Sequence, residues 1–251
     1  MRKKLMFLLF MVFALPYAVF ADELVLVKGK GVPVCEAHYK NLKSLTLNAM
    51  VCQRDESYPE ENGITRPKWE EMDLKENKEL LKKIKKFFSI GEQFGAFKLI
   101  DDEKEFEKYF NNHILKYDSL RKSTVDIGNN GKPEVVMLYR APRCDVNRNR
   151  EYNIPYSRML FVLDKEKNLI DTKKTEPLLQ NITAPGYDIK SKAQENLYRL
   201  YDVFFYKNET YFDKWFIYDW SLNVYKLSKD SAEEICKFKY KKNTLKKEKM
   251  P

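Results

Sequence analysis

Histidine is scarce in this chain. His38 and His113 are the two in 251 residues, and neither has a histidine or cysteine four residues away, so no helical ligand pair of a zinc site is encoded. Neither Gly-x-Ser-x-Gly nor His-Glu-x-x-His occurs, and no nucleophile stands beside a base, which removes two readable hydrolase signatures. Cys-x-x-Cys is missing too, leaving thioredoxin-type and zinc chemistry without support. The apolar run from Leu5 to Leu15 is too short to span a bilayer. Net charge is absent where a nucleic-acid groove would need it: residues 22–236 carry 36 basic and 36 acidic side chains, so the overall +9 resides in the two ends.

Those ends have their own readings. Arg2-Lys3-Lys4, the apolar run and Val19-Phe20-Ala21 form the n-region, h-region and small-residue cleavage pattern of a secretory signal peptide over residues 1–21. No cysteine sits at the cleavage point to accept a lipid, so the expected product is a periplasmic or secreted protein starting near Asp22, with no transmembrane segment after cleavage. Residues 241–251 form a polybasic tail with too little apolar content to fold, suited at most to loose contact with an anionic surface. Four cysteines, Cys35, Cys52, Cys144 and Cys236, enter an oxidising compartment as an even set and predict two disulfides. Of three connectivities the favoured one pairs Cys35 with Cys52, a short local loop, and Cys144 with Cys236.

The pattern predicts an α+β protein: a mainly helical N-terminal part, residues 22–125, packed as one domain on an antiparallel β-meander of about six or seven strands in residues 126–240. Leu24 to Val27 predicts an opening strand and residues 35–47 a short helix. Asp73-Leu-Lys-Glu76 and Asp102-Glu-Lys-Glu105 read as capping boxes. They precede the apolar faces Leu80, Leu81, Ile84, Phe87, Phe88 and Phe106, Tyr109, Phe110, Ile114, Tyr117. Asp101, Asp102 and Glu103 therefore read as helix-start acids rather than a catalytic carboxylate cluster. His113 borders the second face and reads as a packed side chain. Strands are expected at 134–140, 158–164, 168–172, 222–228 and 234–240.

Between the two parts lies Asp126-Ile-Gly-Asn-Asn-Gly-Lys-Pro-Glu134, a polar loop that launches the apolar run from Val135. Its plain reading is an Asx-type turn with Gly131 at positive φ. Its spacing also resembles the Asp-x-Asn-x-Asp-Gly-x-x-Asp calcium loops of FG-GAP and VCBS repeats, matching at Asp126, Asn130, Gly131 and Glu134. The resemblance implies calcium, the one cofactor candidate, held by Asp126, Asn130 and Glu134. The loop departs from the pattern at Gly128, which has no side-chain oxygen, and at Asn130, which replaces an acid. It occurs once, whereas a propeller repeats its unit.

Aromatic residues concentrate between Tyr198 and Tyr225, and a split at Lys207-Asn208-Glu209 predicts a hairpin. In its first arm Tyr201, Val203 and Phe205 point one way and Leu200, Phe204 and Tyr206 the other, so both faces need covering. Either the N-terminal helices and a loop or partner cover them, or an aromatic platform containing Tyr211, Trp215 and Trp220 is left open for a partner.

Gly31-Val-Pro-Val-Cys-Glu-Ala37, Asn130-Gly-Lys-Pro-Glu134, Thr210-Tyr-Phe-Asp-Lys-Trp215 and Glu234-Ile-Cys-Lys-Phe238, in that order, resemble a group of exported proteobacterial proteins of uncharacterised function. The resemblance implies a periplasmic location and transfers no activity. The leading expectation is a non-enzymatic protein that binds or inhibits a protein or glycan of the cell envelope, toxin immunity included. An envelope hydrolase and a calcium-dependent structural or adhesive module are the alternatives.

Overall fold

A computed structural model describes residues 23–45, 58–88, 102–141, 157–164, 169–171, 173–175, 199–216, 221–228 and 231–241. Strand β1 (Glu23–Lys28) runs into Gly29 and Gly31, at φ 90° and 80°, which turn the chain into helix α1 (Pro33–Leu42). Pro33 opens that helix, where its missing N–H is harmless. Two short strands follow, β2 (Ile64–Thr65) and β3 (Glu70–Glu71), then helix α2 (Lys78–Phe88). Helix α3 (Glu103–Tyr109) starts on Asp102, whose carboxylate accepts the Lys104 and Glu105 amides, as the capping box predicts. It continues through a π-helical turn, Phe110–Ile114, and a last turn, Leu115–Tyr117. The rest is β: β4 (Ser119–Val125), β5 (Glu134–Ala141), β6 (Ser157–Asp164), β7 (Leu169–Ile170), β8 (Arg199–Tyr206), β9 (Glu209–Phe216), β10 (Ser221–Ser228) and β11 (Ser231–Lys241).

The strand order is β1-β11-β10-β9-β8-β6-β5-β4-β3, with β2 beside β8 and β7 beside β6. All pairings are antiparallel except β6–β8, a parallel contact at Arg158 and Leu200. That contact joins two antiparallel halves, β1 with β11–β8 and β6–β3. Val136, Leu138, Leu160 and Val162 from one half share a core with Tyr201, Val203, Phe212, Tyr225 and Leu227 from the other, so the sheet curls and its halves face each other. Outside the curl, α1 covers Phe204, Trp215, Leu222 and Phe238, while α2 and α3 cover Leu120, Met137, Tyr139 and Phe161. The two-faced hairpin is thus covered by a helix on one side and by the facing half-sheet on the other.

The mixed α/β class holds, with strands predominating. The arrangement is not a single meander, because the first strand pairs with the last and the halves meet in parallel. Among the described residues before 126, strands β1 to β4 join the sheet alongside helices α1 to α3.

The disulfide corrects a second expectation. Cys35 is bonded to Cys236, 201 residues away, and not to Cys52. A local loop closes with less entropy loss, but β1 pairs with β11, with Leu26 opposite Phe238, and so delivers α1 directly over Cys236. Cys52 and Cys144 lie outside the described residues.

Candidate functional site

The polar loop joining β4 to β5 forms a turn that uses its own oxygens. Asp126 accepts the Asn130 and Gly131 amides through its two carboxylate oxygens, at 3.0 and 2.7 Å, and Gly131 sits at φ 79°. Asn130 Oδ1 accepts the Lys132 amide at 2.9 Å, and Glu134 accepts the Ile127 amide while facing Lys174 Nζ at 3.3 Å. Each side chain proposed for calcium therefore already holds a donor. The loop is latched to the other half-sheet as well: Thr210 donates its amide to Asn129 Oδ1 and its hydroxyl to the Asp126 carbonyl, both at 2.6 Å, and Asn129 Nδ2 donates back to the Thr210 carbonyl.

The aromatic hairpin corrects the expected partner surface. Trp215 is 2 % exposed and meets Tyr240 edge-on at 5.6 Å, and Tyr211 is buried, stacked on Phe204. They pack beneath α1 because their alternate positions in β9 face the helix, so neither is open to a partner. Trp220 lies outside the described residues. Burial raises the Tyr211 phenol above its ordinary range, assisted by the hydrogen bond it donates to Glu209.

The face of β8 and β9 beneath α1 holds a polar network that local spacing does not reveal. Asp202 and Asp213 are opposite each other in register, so both project from that face into the core. Asp213 lies 3.2 Å from His38 Nε2, and both are 0 % exposed. On its other side His38 Nδ1 meets the Tyr58 hydroxyl, so the imidazole stands between a carboxylate and a phenol. Asp202 is gripped by two guanidiniums: Arg158 Nη2 donates to Oδ1 at 3.0 Å, and Arg66 pairs with Oδ2. The Asp213–His38–Tyr58 order is a chain of buried polar contacts, and the Arg66 guanidinium lies over its last ring, 4.5 Å from the Tyr58 centroid.

Arg66 also reaches the surface. It lines a groove of about 800 Å³ whose walls are the chain from Thr65 to Glu70 and the edge of β4 at Lys122, Ser123 and Thr124, with Phe205 and Val135 also in its lining. The groove exists because residues 64–71 cross from one half-sheet to the other: Ile64 and Thr65 pair with β8, and Glu70 and Glu71 with β4. Within it, Lys122 faces Glu70 at 3.6 Å and Glu60 accepts the Arg66 amide. The acid in an otherwise apolar strand face, Tyr211-x-Asp213-x-Trp215, marks Asp213 as needing a buried partner, though not which residue supplies it.

Fold and site together define a β-rich α/β protein with a buried ionic network and a polar groove at the seam of its curled sheet. No family model matches the chain, and no curated protein or solved structure shows significant similarity to it.

Proposed function

We propose that this is an exported, non-enzymatic protein that binds, and so inhibits or sequesters, a component of the cell envelope, and that the groove at the β4 edge is its contact surface. The observation that carries this reading is the construction of the groove: Arg66 in its wall is held from within by buried Asp202 and Tyr58. Such a wall is preorganised, and preorganisation reduces the entropy lost on binding. The Cys35–Cys236 bond suits an oxidising compartment, and among the described residues no helix is long and apolar enough to cross a membrane.

Photo-crosslinking residues introduced at Lys68 and at Thr124 test the reading in the intact envelope, with exposed Lys43 beyond α1 as control. Adducts from the two groove positions and none from the control are expected. Equal labelling from all three, or turnover of an envelope substrate by the purified protein, overturns it.

A further inference from the structure

Which chemistry the groove takes follows from the hydrogen-bond parity of β4. In an antiparallel strand the N–H and C=O of one residue point the same way, and successive residues alternate. Leu120 faces outward, because its carbonyl accepts the Met72 amide at 2.9 Å. The β4–β5 register runs without a bulge from Ser119 to Val125. Lys122 and Thr124 therefore also face outward. Lys122 is opposite Glu70 of β3, and the next outward carbonyl, Asp126, takes the Thr210 hydroxyl. Between them Thr124 directs one donor and one acceptor into the groove.

The register explains why Thr124 is left open. With Glu70 opposite Lys122, the residue opposite Thr124 would be Lys68, but the chain has already turned toward β8, where Thr65 pairs with Phe205. Lys68 stays exposed in the groove wall while Pro67 beside it is buried. The other two cations of the lining are matched, Arg66 by Asp202 and Lys122 by Glu70. Lys68 is the one left without an ion pair among the described residues.

We infer that the groove takes an extended, acidic segment of a partner polypeptide, which adds to β4 as a strand, exchanges two main-chain hydrogen bonds with Thr124 and sets a carboxylate against Lys68. This rests on the binding reading above and adds the ligand class. Strand addition draws its affinity from main-chain hydrogen bonds and its selectivity from flanking side chains. Phe205 and Val135 add apolar surface to the lining.

The test is an amide-resolved NMR titration of the whole protein with acetyl-Thr-Val-Glu-Val-Thr-amide, its Lys-for-Glu counterpart, and versions N-methylated at successive residues. The acidic peptide should shift the Thr124 amide and bind about fivefold more tightly than the lysine peptide, the size of an exposed ion pair. N-methylation at one parity of position should abolish binding while the other parity is tolerated. Lys68→Glu should reverse the charge preference, and Thr124→Pro, which removes the outward N–H at an edge position where proline is tolerated, should abolish binding with the fold retained. No response to either peptide, a response that leaves Thr124 unmoved, or indifference to peptide charge overturns the inference. Crosslinks at Lys68 and Thr124 combined with such a failure would leave the binding surface standing and discard only the strand-adding peptide, whereas failure of the crosslinks discards the surface itself.

Discussion

The two halves of the sheet solve the same problem by different means. Each buries one face against the other half and the opposite face under helix. The β8–β11 half, with β1, fastens α1 by the Cys35–Cys236 bond and by the buried His38–Asp213 contact. Among the described residues, the β3–β6 half fastens α2 by charge and hydrogen bonds: Lys85 reaches down to Asp118 at 3.3 Å, and Tyr139 donates its hydroxyl to the same carboxylate. Burial alone would lower the Lys85 pKa, but Asp118 and Tyr109 more than offset it and hold the ammonium above its ordinary value. At the surface, Lys78 and Lys82 of α2 add ion pairs to Glu107 and Glu103 of α3. One half is closed by a permanent bond, the other by charges that pH and salt can reach. The groove lies on the seam between them.

Breaking the covalent half should have the largest effect. In the chain-entropy model a loop of this length stabilises by about 5 kcal/mol, so Cys35→Ser or reduction should lower the melting temperature by roughly 10–20 °C. Survival of the melting point under reducing conditions would show that strand pairing alone holds α1. Asp202→Ala comes next. It removes the buried carboxylate that Arg66 and Arg158 share and should destabilise by about 3–5 kcal/mol in a denaturant titration. A loss below about 1 kcal/mol would mean that the network relaxes outward.

The non-covalent half should carry the acid sensitivity. His113, in the π-helical turn and stacked on Tyr109 at 5.0 Å, is lowered to about 4 by burial and then by Lys85. Its folded pKa lies below its unfolded value of 6.5. The unfolded chain therefore binds the extra proton, and stability present above pH 6.5 falls as pH drops toward 4, by at most about 3 kcal/mol. His113→Gln should flatten that limb, and an unchanged slope would assign it to other groups. The smallest effect belongs to the latch between the halves. Asn129→Ala removes two hydrogen bonds to Thr210 and should cost about 1–3 kcal/mol. Millimolar calcium should leave the melting point unmoved, since the oxygens of Asp126, Asn130 and Glu134 are already engaged. A rise with calcium that Asp126→Ala abolishes would restore the metal reading.

What the sequence made legible follows where its signals were local. Runs apolar on both faces announced β5, β6, β8 and β9, and the acids before α2 and α3 announced their starts. Strand β4 was hidden because its two buried residues, Leu120 and Val125, are five apart and enter different cores, so neither alternation nor helical spacing marks it. The groove was hidden with it, being built on that strand and on β2 and β3, two residues each. The pairing of Cys35 and the meeting of His38 with Asp213 depend on β1 closing against β11, a contact across nearly the whole chain that no local pattern encodes. The hairpin was recognised and its use misjudged, because aromatic strand faces announce burial and partner contact alike.

The central claim is that β4 presents an open main-chain edge in the groove at Thr124. Amide hydrogen exchange of the unliganded protein addresses it directly. The Thr124 amide should exchange far faster than those of Ser123 and Val125, which face β5, and faster than that of Lys122, which faces β3. Protection of Thr124 equal to theirs would mean that the edge is already occupied, and would contradict both the groove and the strand it is built to receive.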